Sequence, residues 1–364
     1  MKVQRAILPD SKRLMWLVIG DDSLPVPAVQ SFLSYLHNIG RSPNTIRSYA
    51  HHLKLFWEYL TVTGFGWRQL TIKELSDFMS WLRDPQPIGV TAIHERTSCR
   101  SEVSINTILA AVTAFYVYHQ RLGTIQDIPL YGFTVSHQVA YKGLLHGIAK
   151  EKPAKRRLLK LKVPKQIPKT LTTEQVGQVI DACHRLRDKF LLCLLYETGM
   201  RIGQALGLRH QDIDSRQKVM HIIPRLDHPH GVRTKTHMPY SVHVSPNLIR
   251  LYADYLVDEV QDVQSDFVFV NLWHEPIGKP MTPATVEDLF RRLSKKTGIK
   301  IHPHVLRHTH ATELLRAGWG LAYVQRRLGH VSIQTTANTY AHLTDEDLHQ
   351  AYQKYLQVKE GKKP

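Results

Sequence analysis

Apolar side chains return every three or four residues along much of this chain, between recognisable start and stop residues. The clearest stretch opens at Ser42-Pro43-Asn44, with a serine suited to capping and a proline at the first helical position. Ile46, Tyr49, Leu53, Phe56 and Leu60 then form one stripe. A shorter helix is expected before it, over 27–39 and closed by Gly40, after a strand over 12–19. Thr71 and Glu74 have capping-box spacing and open a helix with Phe78 and Leu82 on one face. Residues 84–101 mix prolines, Gly89 and charges and read as loop; a long helix over 104–122 is stopped by Gly123. Residues 1–149 thus read as a compact, mainly α bundle.

The pattern changes in the second half. Strand-like runs at 219–224, 236–244 and 267–272 lie among helical stretches, which makes 170–364 an α+β unit. Thr172 and Gln175 suggest a capping box for a helix over 173–185, and the next, 187–198, ends at Gly199. Thr282-Pro283 opens a helix running to Gly298, and a helix over 304–317 is stopped by Gly318. Helices over 321–328, 332–342 and 345–357 complete the expectation. The chain shows no internal repeat. Between the halves, 150–169 carry nine Lys or Arg against one acid, Glu151, and prolines at 153, 164 and 168. This span reads as an interdomain linker. Its charge suits a strap along a nucleic-acid backbone, where each neutralised phosphate releases a counterion; a merely flexible connector is the alternative.

Composition sharpens one point. Of 364 residues 43% are hydrophobic and 22% charged, ordinary for a folded protein, but 48 Lys and Arg face 31 acids, for a net charge of +17. A polyanionic partner is the simplest reading; a basic surface that serves solubility is the other. Arg41, Arg47 and Lys54, with His51 and His52, crowd the second helix, and Lys155, Arg156 and Arg157 lie in the linker. These are the candidate DNA contacts, against the alternative of a solvated helix face. Cys99, Cys183 and Cys193 lack metal-like spacing, and their odd number argues against a disulfide framework and for a reducing compartment. The apolar run Leu14–Ile19 is too short for a signal and is followed by Asp21-Asp22, so a cytoplasmic location without membrane insertion is expected.

The candidate chemistry is concentrated near the end of the chain. His304, Arg307 and His308 fall within one helical stretch, Leu328-Gly329-His330 follows, and then Tyr340. Upstream stand Thr198-Gly199-Met200-Arg201 and Arg233-Thr234-Lys235-Thr236. Guanidinium forks suit a phosphodiester because they stay charged and donate bidentate hydrogen bonds. A phenol with a pKa near 10 needs a proton acceptor or a strongly cationic pocket before it can attack. His304 or His330 could provide the acceptor. A sugar alkoxide leaving group needs a proton, which a lysine can supply; Lys218 and Lys279 are weaker candidates than Lys235, whose role is implied by the resemblance given next. His304 and His308 stand four apart, as zinc ligands can, but no glutamate follows His304 and no thiol lies nearby in sequence, so neither metal nor cofactor is expected. His228, His230 and His310 receive no role.

In their order, these motifs resemble the tyrosine recombinase (phage integrase) family, most closely its transposon- and phage-borne integrases and transposases. The tail Thr335-Thr336-Ala337-Asn338-Thr339-Tyr340-Ala341-His342 matches the family's nucleophile segment. The resemblance is strong over 170–345 and general before that. It implies a SAM-like helical core-binding domain followed by the α+β catalytic domain. It also implies a catalytic set of Arg201, Lys235, His304, Arg307, His330 and Tyr340, working through a 3′-phosphotyrosyl intermediate. The implied partners are double-stranded DNA, further copies of the chain as a tetramer on two DNA sites, and accessory transposition proteins, in a bacterial nucleoid-associated setting. The last helix, with Leu348, Tyr352 and Leu356 on its apolar face, would dock on a neighbour. A type IB topoisomerase-like enzyme and an inactive DNA-binding protein on the same fold remain alternatives. One departure stands out: Gln204 occupies the position, three after Arg201, where the family usually carries an acid.

Overall fold

The computed structural model describes residues 1–7, 14–84, 99–126, 128–134, 154–164, 168–225, 227–229, 238–329, 352, 353 and 356. The chain divides into two compact units, Met1–Lys165 and Gln166–Pro364.

In the first unit, helices α1 (Pro27–Asn38), α2 (Pro43–Thr63), α3 (Ile72–Arg83) and α4 (Glu102–Arg121) surround a core containing Phe32, Leu53, Phe56, Phe78, Phe115 and Tyr116. The start signals operate as read. Ser42 Oγ accepts the Thr45 N–H at 3.2 Å, Thr71 and Glu74 form the capping box, and Gly64 ends α2 at φ 72°. The sequence reading missed a partner for the first strand. β2 (Leu14–Ile19) pairs antiparallel with β1 (Lys2–Ile7), Lys2 opposite Ile19. Ser101, not a later residue, caps α4.

Within the span read as a linker, the described residues 154–164 are tied to the first unit. Ala154–Arg157 form β4, antiparallel to β3 (Tyr131–Thr134), and Leu159 and Leu161 pack against the core of the first unit. Asn106 receives this segment: its Oδ1 accepts the Leu161 N–H at 2.8 Å and its carbonyl accepts Arg157 Nη1 at 3.1 Å.

The second unit contains α5 (Thr173–Asp181), α6 (Leu186–Thr198), α7 (Ile202–Leu206), α8 (Pro246–Tyr255), α9 (Pro283–Thr297), α10 (Pro303–Arg316) and α11 (Leu321–Leu328). A three-stranded antiparallel sheet has the order β5 (Ile213–Asp214), β6 (Val219–Ile222), β7 (Tyr240–His243). α6 is apolar nearly all round because it is buried, with α8 on one side and α10 on another. Three expectations need correction. α5 stops at Asp181 instead of continuing to 185. The run 267–272 is not a strand: Val268, Phe269 and Val270 are buried, but the backbone makes only isolated bridges, Arg209 with Phe267 and Val270 with Pro280. α8 went unread, although Ser245-Pro246 repeats the opening seen at Ser42-Pro43. The expected helix 332–342 lies outside the described residues, as does most of 345–357. Among the described residues no helix is long and apolar enough to cross a membrane, and Cys99, Cys183 and Cys193 carry free thiols.

Candidate active site

Arg307 projects from α10 into the interior and is 4% exposed. Its Nη1 donates to the carbonyl of Gly199 at 2.6 Å and its Nη2 to the carbonyl of Leu328 at 2.9 Å. Both acceptors are helix-end carbonyls that lack intrahelical partners, and a buried guanidinium satisfies them while they delocalise its charge. Each helix closes with a left-handed glycine, Gly199 at φ 63° and Gly329 at φ 62°. One side chain therefore ties three motifs: Thr198-Gly199-Met200-Arg201, His304-to-Arg307, and Leu328-Gly329-His330. Close packing enforces both glycines. A Cβ on Gly199 would lie 2.7 Å from His310 Cδ2 and from Leu328 Cδ2, and one on Gly329 would lie 2.6 Å from Tyr240 Cε1.

Arg201 sits in extended backbone between α6 and α7. Its backbone N–H donates to Gln204 Oε1 at 2.8 Å, so the amide at 204 caps the short helix from its third residue. Burial pulls the Arg201 guanidinium pKa down from its ordinary value, with the neighbouring Tyr240 opposing. Its Nη1 is buried and has no hydrogen-bond partner among the described residues. A buried cationic donor without an acceptor is costly, and an incoming anion relieves that cost.

Tyr240 was not singled out by sequence. It opens β7 opposite Ile222, and its hydroxyl donates to Gln204 Oε1 at 3.3 Å. Burial raises its pKa, while Arg307, the Gln204 amide and Arg201 each pull it back. The phenol thus shares its surroundings with both arginines. The chain signal was faint: a tyrosine beside a proline at the start of a strand.

His304 lies in the first turn of α10 and is exposed, with the His302 ring 6.4 Å away. His308, one turn on, is half-buried. Burial, then His304, Arg307 and His302, lower its pKa. His310 and Arg327 form a second brace that sequence left unassigned. Arg327 Nε donates to His310 Nε2 at 3.0 Å, and Nη2 donates to the carbonyls of Glu197 at 2.9 Å and His243 at 3.2 Å. The brace joins α11, α10, the end of α6 and β7. Burial first, then Arg327 and Arg307, lowers the His310 pKa to about 3, so this imidazole stays a neutral acceptor.

Lys235, His330 and Tyr340 lie outside the described residues. In sequence, Lys235 falls between Ile222 and Tyr240, which face each other in the β6–β7 ladder, and His330 directly follows Gly329. Lys218 precedes the other end of that ladder, where Val219 faces His243, and Lys279 lies in the loop before α9. Among the described residues no group of three or more His, Cys, Asp or Glu is placed to hold a metal ion.

In the first unit, Arg47, His51 and Lys54 share a face of α2. Burial, then Arg47, then Lys54, depresses the His51 pKa, a mark of mutually facing cations. Arg47 also stacks 5.4 Å from the Trp16 ring, and Lys54 pairs with Glu58 at 2.7 Å. Arg41 is exposed just before α2. In β4, Arg156 is exposed, Arg157 binds Asn106, and the Lys155 backbone faces Phe133.

Comparison with known proteins agrees with this layout. Residues 169–347 match the phage integrase family, and residues 29–123 match the phage integrase N-terminal SAM-like domain. Transposase A from transposon Tn554 of Staphylococcus aureus is 41% identical over 364 residues, covering all of both chains. The tyrosine recombinase XerA of Pyrococcus horikoshii is 26% identical over 90% of this chain and 92% of its own. Among solved structures, the Tn1549 transposon integrase in complex with circular intermediate DNA superposes with a TM-score of 0.61 at 17% identity, over 89% of this chain and 98% of that one. This last likeness establishes the fold: a SAM-like helical domain followed by an α+β catalytic domain.

Proposed function

The chain belongs to the phage integrase (tyrosine recombinase) family, and from that premise we propose that it is a transposase-type recombinase that cuts and rejoins duplex DNA at specific sites. The observation that carries the reading is the paired arginine centre. Arg307 fastens three motif segments together, and beside it Arg201 keeps a buried Nη1 without an acceptor among the described residues. A DNA phosphate is the anion that this centre suits. Catalysis of phosphoryl transfer consists mostly of positioning and charge stabilisation, which two rigidly held guanidinium groups supply.

In this reading Arg201 and Arg307 grip the non-bridging oxygens and Tyr340 Oη attacks phosphorus. The P–O bond to the 5′ oxygen breaks as the tyrosyl–phosphorus bond forms. The phenol's proton passes to His304 or His330, and Lys235 protonates the departing 5′ oxygen. The product is a 3′-phosphotyrosyl link and a free 5′-hydroxyl. Attack by another strand's 5′-hydroxyl reverses the step. One ester replaces another, so no nucleotide cofactor is consumed. The α2 cations Arg41, Arg47 and Lys54, with Lys155, Arg156 and Arg157, contact the DNA backbone, and residues 345–357 dock on a neighbouring copy in a tetramer bridging two sites. Accessory transposition proteins and a cytoplasmic, nucleoid-associated setting belong to the same proposal. A topoisomerase-like role is not favoured, because the relatives that align over most of the chain are a transposase and a recombinase.

The test is covalent capture on a pool of nicked duplexes of randomised sequence, followed by mapping of the adduct. The expected adduct is on Tyr340, and Tyr340→Phe should bind DNA yet trap none. A wild-type chain that binds duplex but never traps would instead support the inactive alternative and overturn the enzymatic reading.

A further inference from the structure

Taking Arg201 as half of the phosphate clamp, as the reading above does, we propose that Tyr240 is a positioning residue that sets Arg201 through Gln204. α7 has five residues, too few to hold its own shape by helix propagation. N–H groups at its start have no backbone acceptor within the helix. The N–H of the N-cap residue Arg201 is taken instead by a side chain of the helix itself, Gln204 Oε1 at 2.8 Å, and that oxygen also accepts the Tyr240 hydroxyl at 3.3 Å. Gln204 is 3% exposed. A buried amide whose oxygen is engaged from two directions has its rotamer fixed, and with it the backbone from which the Arg201 side chain departs. The Tyr240 ring meanwhile lies against Gly329, close enough that a Cβ there would sit 2.6 Å from Cε1 and 2.7 Å from Cζ. One side chain thus sets the spacing between the Arg201 turn and the residue preceding His330.

This arrangement accounts for the amide at 204. A carboxylate there would accept the same two hydrogen bonds but would also offset the charge of Arg201. With glutamine the acceptor geometry is kept and the guanidinium retains its full charge for the phosphate. The phenol is not a second nucleophile. It is buried and committed as a donor to Gln204, and burial disfavours its ionisation.

The experiment uses the full chain and the nicked duplex sequence recovered by the covalent capture described above. Single-turnover cleavage, DNA affinity and thermal unfolding are measured for wild type, Tyr240→Phe, Gln204→Leu and the double variant. Tyr240→Phe should cleave about ten-fold more slowly with affinity within about two-fold of wild type, because binding is held by many other contacts. The double variant should be no slower than Gln204→Leu alone, since the phenol acts through the amide. Gln204→Glu, which preserves both acceptor positions, should restore sensitivity to the Tyr240→Phe change. Wild-type cleavage by Tyr240→Phe, additive losses in the double variant, or an unfolding temperature that falls in step with rate would each overturn the proposal. If wild type itself forms no adduct, the recombinase reading fails; if wild type traps normally while Tyr240→Phe is indifferent, only the present inference fails.

Discussion

Replacing Arg307 by lysine separates charge from geometry. Both residues are cationic, but the two bonds to Gly199 and Leu328 leave from different nitrogens, at 2.6 and 2.9 Å, and a single ammonium on a flexible stem replaces that planar fork. One helix-end carbonyl is then left buried without this donor. Loss of a hydrogen bond to a charged group costs about 1.5–3 kcal/mol, with the orphaned acceptor contained in that range. For a unit of this size each kcal/mol moves the midpoint by roughly 2–4 °C, so a loss near 2 kcal/mol lowers the transition of the Gln166–Pro364 unit by about 4–8 °C. The chemical effect should be larger. The tie sets the spacing of three motif segments, and displacements near 1 Å at a reacting centre cost on the order of 100-fold in rate. Differential scanning calorimetry and single-turnover cleavage of the captured duplex measure the two effects, and filter binding measures affinity, which should hold within a few-fold because the charge is kept. An Arg307→Lys chain with unchanged melting and unchanged cleavage would refute the role of Arg307 as a tie. Affinity falling as far as rate would show that Arg307 acts mainly as a point charge.

Four shorter tests probe other parts of the account. Gly199→Ala should cost about 2–4 kcal/mol, because a left-handed φ and contacts at 2.7 Å both oppose it; Gly298→Ala, at φ 72° with nothing within 4 Å, should cost only about 1–2 kcal/mol, and equal losses would deny the packing effect. His310 titrates near 3 in the folded protein against an ordinary 6.5, so the unfolded chain binds the extra proton in that window. The stabilisation is therefore full above pH 6.5 and is lost as pH falls toward 3, at up to about 1.4 kcal/mol per pH unit; urea unfolding of His310→Gln should show a shallower acid slope, and an unchanged slope would clear His310 of this role. Duplex affinity should fall linearly on a log–log salt plot with a slope of roughly −0.9 per phosphate contacted, and a flat response would deny the basic surfaces their proposed part. Replacing Arg47 and Lys54 together by glutamine should reduce that slope without changing the cleavage rate at saturating DNA, and a lower saturated rate would place them in the chemistry.

The parts of the fold that could be read in the sequence are those decided locally. Ser42-Pro43, the Thr71–Glu74 and Thr172–Gln175 boxes and the stops at Gly123, Gly199 and Gly298 each solve a problem within one turn of helix, so their signals lie within a few residues. What was missed is decided by partners far along the chain. β1 (Lys2–Ile7) is a short, half-polar run whose strand character comes from pairing with β2, and 267–272 reads as a strand because it is apolar, although no neighbour extends the ladder along it. Motif order singled out Arg201 and Arg307, which the structure sets around Tyr240. It did not single out Tyr240, His310 and Arg327, because their importance comes from contacts spanning 36, 17 and up to 130 residues.

The Arg307 tie also bears on how the protein is made. Its acceptors lie 108 residues before and 21 residues after it in the chain. A polypeptide leaving the ribosome therefore cannot close this tie until residue 328 has emerged, when nearly all of its 364 residues have been made.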